Sequence, residues 1–203
     1  MKVITVGREF GSGGREFGKR LAEELGFAYY DEEILRAISE KSGLAQSYVN
    51  SVVEKTSLQS YPITYGKTFF MFNDMTTDAQ WKVIQTQNDV LKELAQKFDC
   101  VFVGRCSDVV LDKLNPLKIF LYSDMESKLA RCKAKAPEGE NLSDKELLKK
   151  IKETNKKRER YYRDFSDRTW GAKENYHLCI NTSGQEIKNL VPTAAAFCRA
   201  WFK

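Results

Sequence analysis

Short apolar and β-branched runs alternate along the chain with longer stretches in which apolar residues recur every three or four positions. This alternation of strand and helix patterns is typical of a parallel sheet that is covered by helices. The strand patterns occupy residues 3–6, 27–30, 100–103, 117–121 and 178–181. The pattern therefore predicts a three-layer α/β fold, in which a parallel five-stranded sheet carries helices on both faces.

Helix patterns lie between these strands, including those at about 15–25 and 79–98. Asp31 and Asp124 each follow a strand pattern where a helix N-cap is expected, because aspartate accepts hydrogen bonds from first-turn amides. A Ser-x-x-Glu sequence at 143–146 forms a capping-box pattern at the start of a lysine-rich helix. Helices between the strands are what parallel neighbours require.

The composition is that of one globular domain, with 203 residues of which 42% are hydrophobic and 30% are charged. No apolar run approaches the roughly 20 residues that span a bilayer, and the first residues do not form a signal-peptide pattern. The five cysteines are odd in number and fit no metal-ligand spacing, and His177 is the single histidine. We therefore expect a cytoplasmic protein with reduced thiols and without a membrane partner.

The net charge of +5 is concentrated in residues 145–163, where nine lysines or arginines accompany three acids. Such a cluster favours a local anionic ligand, although a solvated helix face is the commoner cause of a charge run. An RNA-binding module is one alternative, but aromatic residues do not interleave with the basic ones before Tyr161. Nucleic acid is therefore not expected as a partner.

The glycine-rich segment GREFGSGGRE joins the first strand pattern to the first helix pattern. Gly11, Gly13 and Gly14 allow backbone conformations that direct several N–H groups inward, and a helix N-terminus adds partial positive charge. Phosphate binding is therefore predicted, with an ordinary tight turn as the alternative. The usual pattern, G-x-x-x-x-G-K-[ST], has a lysine and a hydroxyl that are missing here. Arg8 and Arg15 could add charge-assisted hydrogen bonds.

The chain resembles the cytidylate kinase-like family over nearly its whole length, least so between about 44 and 80. The resemblance rests on the glycine-rich segment and on Tyr30-Asp31, Gly104-Arg105, Tyr161-Tyr162, Trp170-Gly171, Tyr176 and Asn181-Thr182-Ser183. It implies a P-loop nucleoside-kinase-like fold in a single domain, 1–203. It also implies an acceptor-binding insert at about 38–80 and a mobile lid at about 131–165.

An ungapped alignment with the family's aspartate, matched to Asp31, places Gly14 where the family has the loop lysine and Glu16 where it has a threonine. Arg15 is then the candidate substitute for that lysine, because a guanidinium can clamp phosphate oxygens. The resemblance thus implies a donor site made of Gly11, Ser12, Gly13, Gly14, Arg15 and Glu16.

The resemblance also assigns roles outside the loop. Arg105 would hold the phosphate of the acceptor, and Asp31 would belong to the acceptor site. Arg131 and Arg158 match lid arginines that neutralise the transferred phosphoryl group, and with Arg15 they are the predicted catalytic residues.

The predicted reaction is transfer of the γ-phosphoryl group of ATP to a nucleoside monophosphate, with CMP or dCMP preferred, or to a similar small acceptor. Mg²⁺ is an expected cofactor with unknown ligands, and Glu9 and Glu16 are the carboxylates beside the loop. Cys106 and Asn155 stand where the family pattern has acids. The alternative is therefore a nucleotide-binding regulatory protein that has lost catalysis. The sequence leaves the oligomeric state open.

Overall fold

Five parallel strands form the sheet that the hydrophobic pattern predicts. The computed structural model describes residues 1–31, 77–136 and 142–203. Its strands are β1 (Val3–Arg8), β2 (Ala28–Asp31), β3 (Cys100–Val103), β4 (Leu117–Tyr122) and β5 (Leu178–Asn181). They pair in the order β2-β3-β1-β4-β5, and every neighbouring pair is parallel. The predicted fold class is confirmed, and the central strand is the one that precedes the glycine loop.

Helices cover both faces of this sheet. Within the described residues they are α1 (Gly14–Leu25), α2 (Thr77–Lys97), α3 (Ser107–Val110), α4 (Met125–Ala134), α5 (Asp144–Phe165) and α6 (Ile187–Trp201), with single 3₁₀ turns at Asp112–Leu114 and Lys173–Asn175. In that part of the chain no helix combines the length and the apolar character that a membrane crossing requires.

Strand β3 shows how the two helical layers bury the sheet. Val101 and Val103 pack in the layer that contains α1 and α6, whereas Cys100 and Phe102 pack against residues of α2. All four side chains are at most 1% exposed. A strand that is covered on both faces is apolar at every position, so the continuous run CVFV was a correct signal for it.

Helices α4 and α5 pack against each other through a third apolar cluster. Cys132 of α4 meets Leu147 and Ile151 of α5, and Phe10 from the glycine loop lies against the same cluster. The loop is therefore attached to the α4–α5 pair as well as to the sheet. The predicted lid covers the end of α4 and the whole of α5, and its mobility stays a prediction.

Two of the predicted helix caps are confirmed. The Ser127 N–H donates to Asp124 Oδ1 at 2.7 Å, and Ser143 and Glu146 form the reciprocal capping box. Asp31 is instead the last residue of β2, and the helix that it was predicted to cap lies outside the described residues. The predicted insert at 38–80 lies outside them too, except for its last four residues, which begin α2.

The carboxyl ends of all five strands meet at one edge of the sheet, which is where open α/β sheets bind ligands. After β1 the chain runs through α1 to β2 on one side, whereas β4 and β5 lie on the other side. The direction in which successive strands are added to the sheet therefore reverses beside β1. The loops that follow β1, β3, β4 and β5 come together there and form the candidate site.

Gly18 lies buried in α1, and a Cβ atom there would lie 2.4 Å from Val103 Cγ2 of β3. We expect Gly18→Ala to lower the free energy of unfolding by about 1–3 kcal/mol, because overpacking outweighs the gain in helix propensity. Urea unfolding measures this loss. In a Val103→Ala background, which removes the colliding methyl group, the same substitution should cost less. An unchanged unfolding midpoint in the single variant would contradict the packing that we describe.

Candidate functional site

The loop between β1 and α1 presents backbone amides at the carboxyl edge of the sheet. Gly11 and Gly13 have φ values of 81° and 82°, a left-handed conformation that glycine adopts without strain. The N–H groups of Glu9 and Ser12 donate to carbonyl oxygens of the protein. By contrast, no described residue accepts a hydrogen bond from the N–H groups of Gly11, Gly13 or Gly14. Within the described residues these three amides therefore have no acceptor, as the predicted anion site requires.

The same amides lie at the N-terminus of α1. Gly13 occupies the N-cap position, and no side chain caps the helix. Since the first-turn N–H groups of any helix have no partner within the helix, they remain as donors here, and the helix dipole adds partial positive charge. A helix start of this kind binds phosphate readily. The geometry is the one that the predicted phosphate site requires, and the binding of phosphate there stays a prediction.

Ser12 and Thr182 fix the middle of the loop. Ser12 Oγ donates to the Glu9 carbonyl oxygen at 2.8 Å, so this hydroxyl shapes the loop from inside. The Ser12 carbonyl oxygen accepts from Thr182 Oγ1 at 2.9 Å, and both residues are fully buried. The loop after β5 therefore holds the glycine loop in place.

Arg131 of α4 ties together the loops that follow β1, β4 and β5. Its guanidinium donates to Gly11 O at 3.4 Å, to Ser123 Oγ at 3.2 Å and to Gln185 O at 2.9 Å, and it also donates to Thr182 O. These contacts make Arg131 a positioning residue for the loop. The catalytic role that the resemblance implies for it stays a prediction.

Lys128 of α4 and Lys135, the residue that follows α4, face the loop, and the sequence analysis missed both. Lys128 Nζ lies 2.7 Å from Glu9 Oε2 with its side chain only 7% exposed, and Lys135 pairs with Glu16. The signal that could have found them is their spacing. Lys128, Arg131 and Lys135 are three and four residues apart, which places three cations on one face of a helix.

The carboxylates beside the loop are already neutralised by cations. Glu16 accepts from Lys135 and, at 3.0 Å, from Arg20 Nε. Glu9 Oε2 accepts from Lys128 and from the Ser123 N–H. Among the residues that the structure describes, no three His, Cys, Asp or Glu side chains lie together as a metal site would require. Each glutamate is therefore held by a lysine in this structure.

Helix α5 contacts the loop through two residues that are one turn apart. Asn155 Oδ1 accepts from the Phe10 N–H at 2.7 Å. Arg158 Nη1 donates to Arg8 O at 3.1 Å, and its guanidinium lies 5.7 Å from the centre of the Phe10 ring. The residue that replaces the family's acid thus serves as an acceptor for a loop amide. Arg158 is beside the loop, as predicted, but its role there stays a prediction.

Most of the basic cluster points away from this site. Six of its cations are exposed at spacings of three or four residues, which is one face of α5: Lys145, Lys149, Lys152, Lys156, Arg160 and Arg163. Arg158 projects from the opposite side of the helix and Asn155 from its flank, and both contact the loop. The charge run is therefore mainly a solvated helix face.

Arg15 points toward the end of β2. Its Nε lies 3.3 Å from Oδ2 of the buried Asp31, and the Tyr29 hydroxyl donates to the same oxygen at 3.3 Å. Burial, together with the charge of Asp31, raises the pKa of Tyr29, so its hydroxyl stays protonated as a donor. Two predicted residues, Arg15 and Asp31, are thus brought together as an ion pair that joins the first turn of α1 to β2.

The loop after β3 has an unusual backbone. Gly104, Arg105 and Cys106 have φ values of 85°, 57° and 50°, and each non-glycine residue in this region costs about 1–3 kcal/mol. Because Asp31 lies in register with Val103, the predicted acceptor residues Asp31 and Arg105 stand at adjacent strand ends. Burial, followed by the charge of Asp108, raises the pKa of the Cys106 thiol, which fits a packing role.

The predicted site residues therefore fall into two groups around the loop. Arg15, Asp31 and Arg105 lie on the side of β2 and β3. Arg131 and Arg158 lie on the side of α4 and α5 and hold the loop backbone. Such an arrangement suits a bound phosphate chain with a second ligand beside it.

Comparison with known proteins gives one family and one type of fold. A model of the cytidylate kinase-like family matches residues 3–184. No curated protein matches the chain. An uncharacterized protein from Eubacterium ventriosum ATCC 27560 has a similar solved structure, with a TM-score of 0.71 and 21% identity over 98% of this chain and 99% of that chain.

Two solved kinases resemble the chain more distantly. Shikimate kinase from Bacteroides thetaiotaomicron has a TM-score of 0.54 and 14% identity over 98% of each chain. A gluconokinase from Sinorhizobium meliloti 1021 has a TM-score of 0.51 and 15% identity over 98% of this chain and 93% of that chain. At these identities the likeness shows the fold alone, which is the P-loop kinase fold that the resemblance implied.

Glu16 provides a pH test of the charge pairs at the loop. Burial alone would raise its pKa, but hydrogen bonds and charge interactions with Lys135 and Arg20 outweigh burial, so its pKa lies below the usual 4.5. A carboxyl whose pKa is depressed in the folded protein adds stability above its unfolded-state pKa. That stability is lost as the pH falls through the folded-state pKa.

We therefore expect Glu16→Gln to lower the free energy of unfolding at pH 7 by up to about 1 kcal/mol, and by less as the pH falls below about 4.5. Chemical unfolding at several pH values measures the difference. The control is Glu24→Gln, which removes a more exposed partner of Arg199. A Glu16→Gln deficit that is the same at pH 3 and pH 7 would show that the ion pairs are not its cause.

Proposed function

The chain belongs to the cytidylate kinase-like family, and on that premise we propose that it transfers the γ-phosphoryl group of ATP to a nucleoside monophosphate or a similar small acceptor. The proposal rests on the N–H groups of Gly11, Gly13 and Gly14. No described residue accepts a hydrogen bond from any of them. The P-loop kinase fold supports a phosphotransferase in general. CMP and dCMP are the first acceptors to test.

The donor phosphates would bind at the start of α1. The free amides and the helix dipole supply hydrogen bonds and positive charge, and the left-handed turns at Gly11 and Gly13 make the close approach possible. Phe10 and Ser12 are held by Asn155 and Thr182, so the cradle is formed before the nucleotide arrives. A preformed cradle lowers the entropy cost of binding.

The acceptor would bind beyond β2 and β3. Arg105 would bond the acceptor's phosphate, because a guanidinium binds phosphate oxygens in a bidentate fashion. Asp31 would accept from the acceptor's polar groups if its ion pair with Arg15 opened. The strained backbone at Arg105 and Cys106 supports a functional role for this loop, since such strain clusters at ligand sites.

Phosphoryl transfer needs positioning and neutralisation of charge, without a covalent enzyme intermediate. Arg158 is placed to approach the transferring group from the side of α5, and Arg131 keeps the loop in position. Bound Mg²⁺ would neutralise charge on the phosphate oxygens. Since Glu9 and Glu16 are paired with lysines, the phosphates and water would supply most of its ligands.

One observation favours the alternative of a regulatory nucleotide-binding protein. Lys135 pairs with Glu16, the residue that stands where the family has its magnesium-binding threonine. With Lys135 paired to Glu16 at the usual magnesium position, the protein would bind ATP without transferring its phosphate.

An assay of ADP release separates these functions. Purified full-length protein is incubated with ATP and Mg²⁺, and with CMP, dCMP, UMP, AMP, GMP, shikimate or gluconate. We expect ADP release that depends on one class of acceptor. The control is Gly13→Ala, in which a Cβ atom would lie 2.4 Å from Ile187 Cδ1, so the cradle would distort and release would fall. ATP binding without release on any acceptor would favour the regulatory protein, and no ATP binding would end the kinase proposal.

Arg105→Ala tests the acceptor side. We expect the KM for the acceptor to rise by about tenfold to a hundredfold, with the KM for ATP nearly unchanged, because one charge-assisted bond to the acceptor is lost. Steady-state kinetics with each substrate varied in turn measures both constants. Arg105→Lys, which keeps the charge but not the bidentate geometry, should fall between. An equal rise in both KM values would show that Arg105 acts on the whole site rather than on the acceptor.

A further inference from the structure

The side chain of Arg8 crosses from the donor loop to the acceptor loop. Arg8 is the last residue of β1. A Cβ atom at Gly14 would lie 2.5 Å from Arg8 Cβ and 2.7 Å from Arg8 Cγ. A Cβ atom at Gly104 would lie 1.6 Å from Arg8 Nη1 and 2.6 Å from Arg8 Cζ. The aliphatic part of Arg8 therefore lies on Gly14, and its guanidinium lies on Gly104, next to Arg105.

We propose that Arg8 supplies the cation for the outer phosphates of the donor, which a lysine at the end of the loop supplies in the usual P-loop. This inference rests on the proposed function, and it gives Arg8 a catalytic role that the sequence analysis predicted for Arg15. The guanidinium lies between the amides that would bind the donor and the loop that would bind the acceptor. A phosphoryl group that passes from one to the other has to cross this space.

Packing explains why the loop has a glycine in place of the lysine. Any side chain at position 14 would begin 2.5 Å from Arg8 Cβ, far inside the contact distance of two carbon atoms. The atom that it would meet is next to the backbone, so Arg8 could not swing aside to make room. A Cβ atom at position 14 and a Cβ atom at position 8 therefore exclude each other. The same loop carries its cation on position 8 instead of position 14.

The other cations near the loop are directed to other groups. Lys128 and Lys135 are held by Glu9 and Glu16. Arg15 Nε is 3.3 Å from Asp31, and Arg131 donates to backbone carbonyl oxygens. Arg158 donates to Arg8 O, which fixes the backbone from which the Arg8 side chain starts. The contacts given for these five residues do not join the donor amides to the acceptor loop, whereas the Arg8 side chain lies on both Gly14 and Gly104.

A guanidinium suits this position chemically. It offers several N–H donors in one plane, so it can donate at the same time to an oxygen of the β-phosphate and to an oxygen of the γ-phosphoryl group that is transferred. In phosphoryl transfer the charge spreads over the equatorial oxygens of that group, and a fixed cation beside them lowers the barrier. Arg8 is therefore expected to contribute to ATP affinity and to turnover.

Titration calorimetry with ATP, ADP and AMP tests this role on the full-length protein. Arg8→Ala and Arg8→Gln should each weaken binding of ATP by at least about tenfold, with AMP changed by less than about twofold, because the contact is to the outer phosphates. Melting temperatures show whether each variant is folded. The matched control is Arg199→Ala, which removes an arginine bound to Glu24 at the far end of α1 and should bind ATP as the wild type does.

The shared space is tested by moving the cation. Gly14→Lys alone should weaken ATP binding, because the new side chain meets Arg8. In the double variant Arg8→Gly/Gly14→Lys, which lacks a Cβ atom at position 8, the space is open and the lysine stands at the end of the loop, so ATP should bind more tightly than in Arg8→Gly. If Gly14→Lys weakens ATP binding equally with and without Arg8, the exclusion that we infer is wrong.

The remaining outcomes separate this inference from the proposed function. If the wild type binds ATP and transfers phosphate, but the Arg8 variants match it, Arg8 is not the missing cation and the kinase proposal stands. Equal losses for ATP and AMP would give Arg8 a structural role and overturn the inference. If the wild type itself binds no ATP, both proposals fail together.

Discussion

Backbone amides at the start of α1 constrain everything around them. No described residue accepts a hydrogen bond from the N–H groups of Gly11, Gly13 and Gly14. The N-cap residue, Gly13, has no side chain that could accept one. An amide that is removed from water without an acceptor costs free energy, so this edge must stay open to water or to an anion. Among the described residues, the surrounding loops fix the neighbouring residues and offer no acceptor to these amides. Asn155 and Thr182 bond the neighbouring Phe10 and Ser12 instead.

The charges of the site follow from the same constraint. Three carboxylates border the proposed anion site, and each would repel a phosphate if it were alone. Glu9 is paired with Lys128, Glu16 with Lys135 and Asp31 with Arg15. These pairs neutralise the acids and also connect the loop to α4 and α1 to β2. The dipole of α1 then adds partial positive charge at the loop.

Local patterns were sufficient for the sheet because both of its faces are covered by helices. The run CVFV at Cys100–Val103 is a strand at its predicted boundaries, and the Ser143 capping box starts α5. Asp31 shows the limit of this approach, because the same residue suits a helix cap and a strand end. Its ion pair with Arg15 depends on the approach of α1 to β2, which no local pattern specifies.

The sequence alone determined the α/β class and the parallel sheet, and it predicted an anion site at the glycine loop, since each depends on residues that are close together in the chain. The tertiary structure decided what every charged side chain near the loop contacts. Lys128 in α4 and Lys135 directly after it lie more than a hundred residues away along the chain and were missed, and Arg8 was noticed only as a nearby charge. Their contacts depend on distances of a few ångströms between separate elements. Such distances are set by packing of the whole domain, so they cannot be obtained from spacing along the chain.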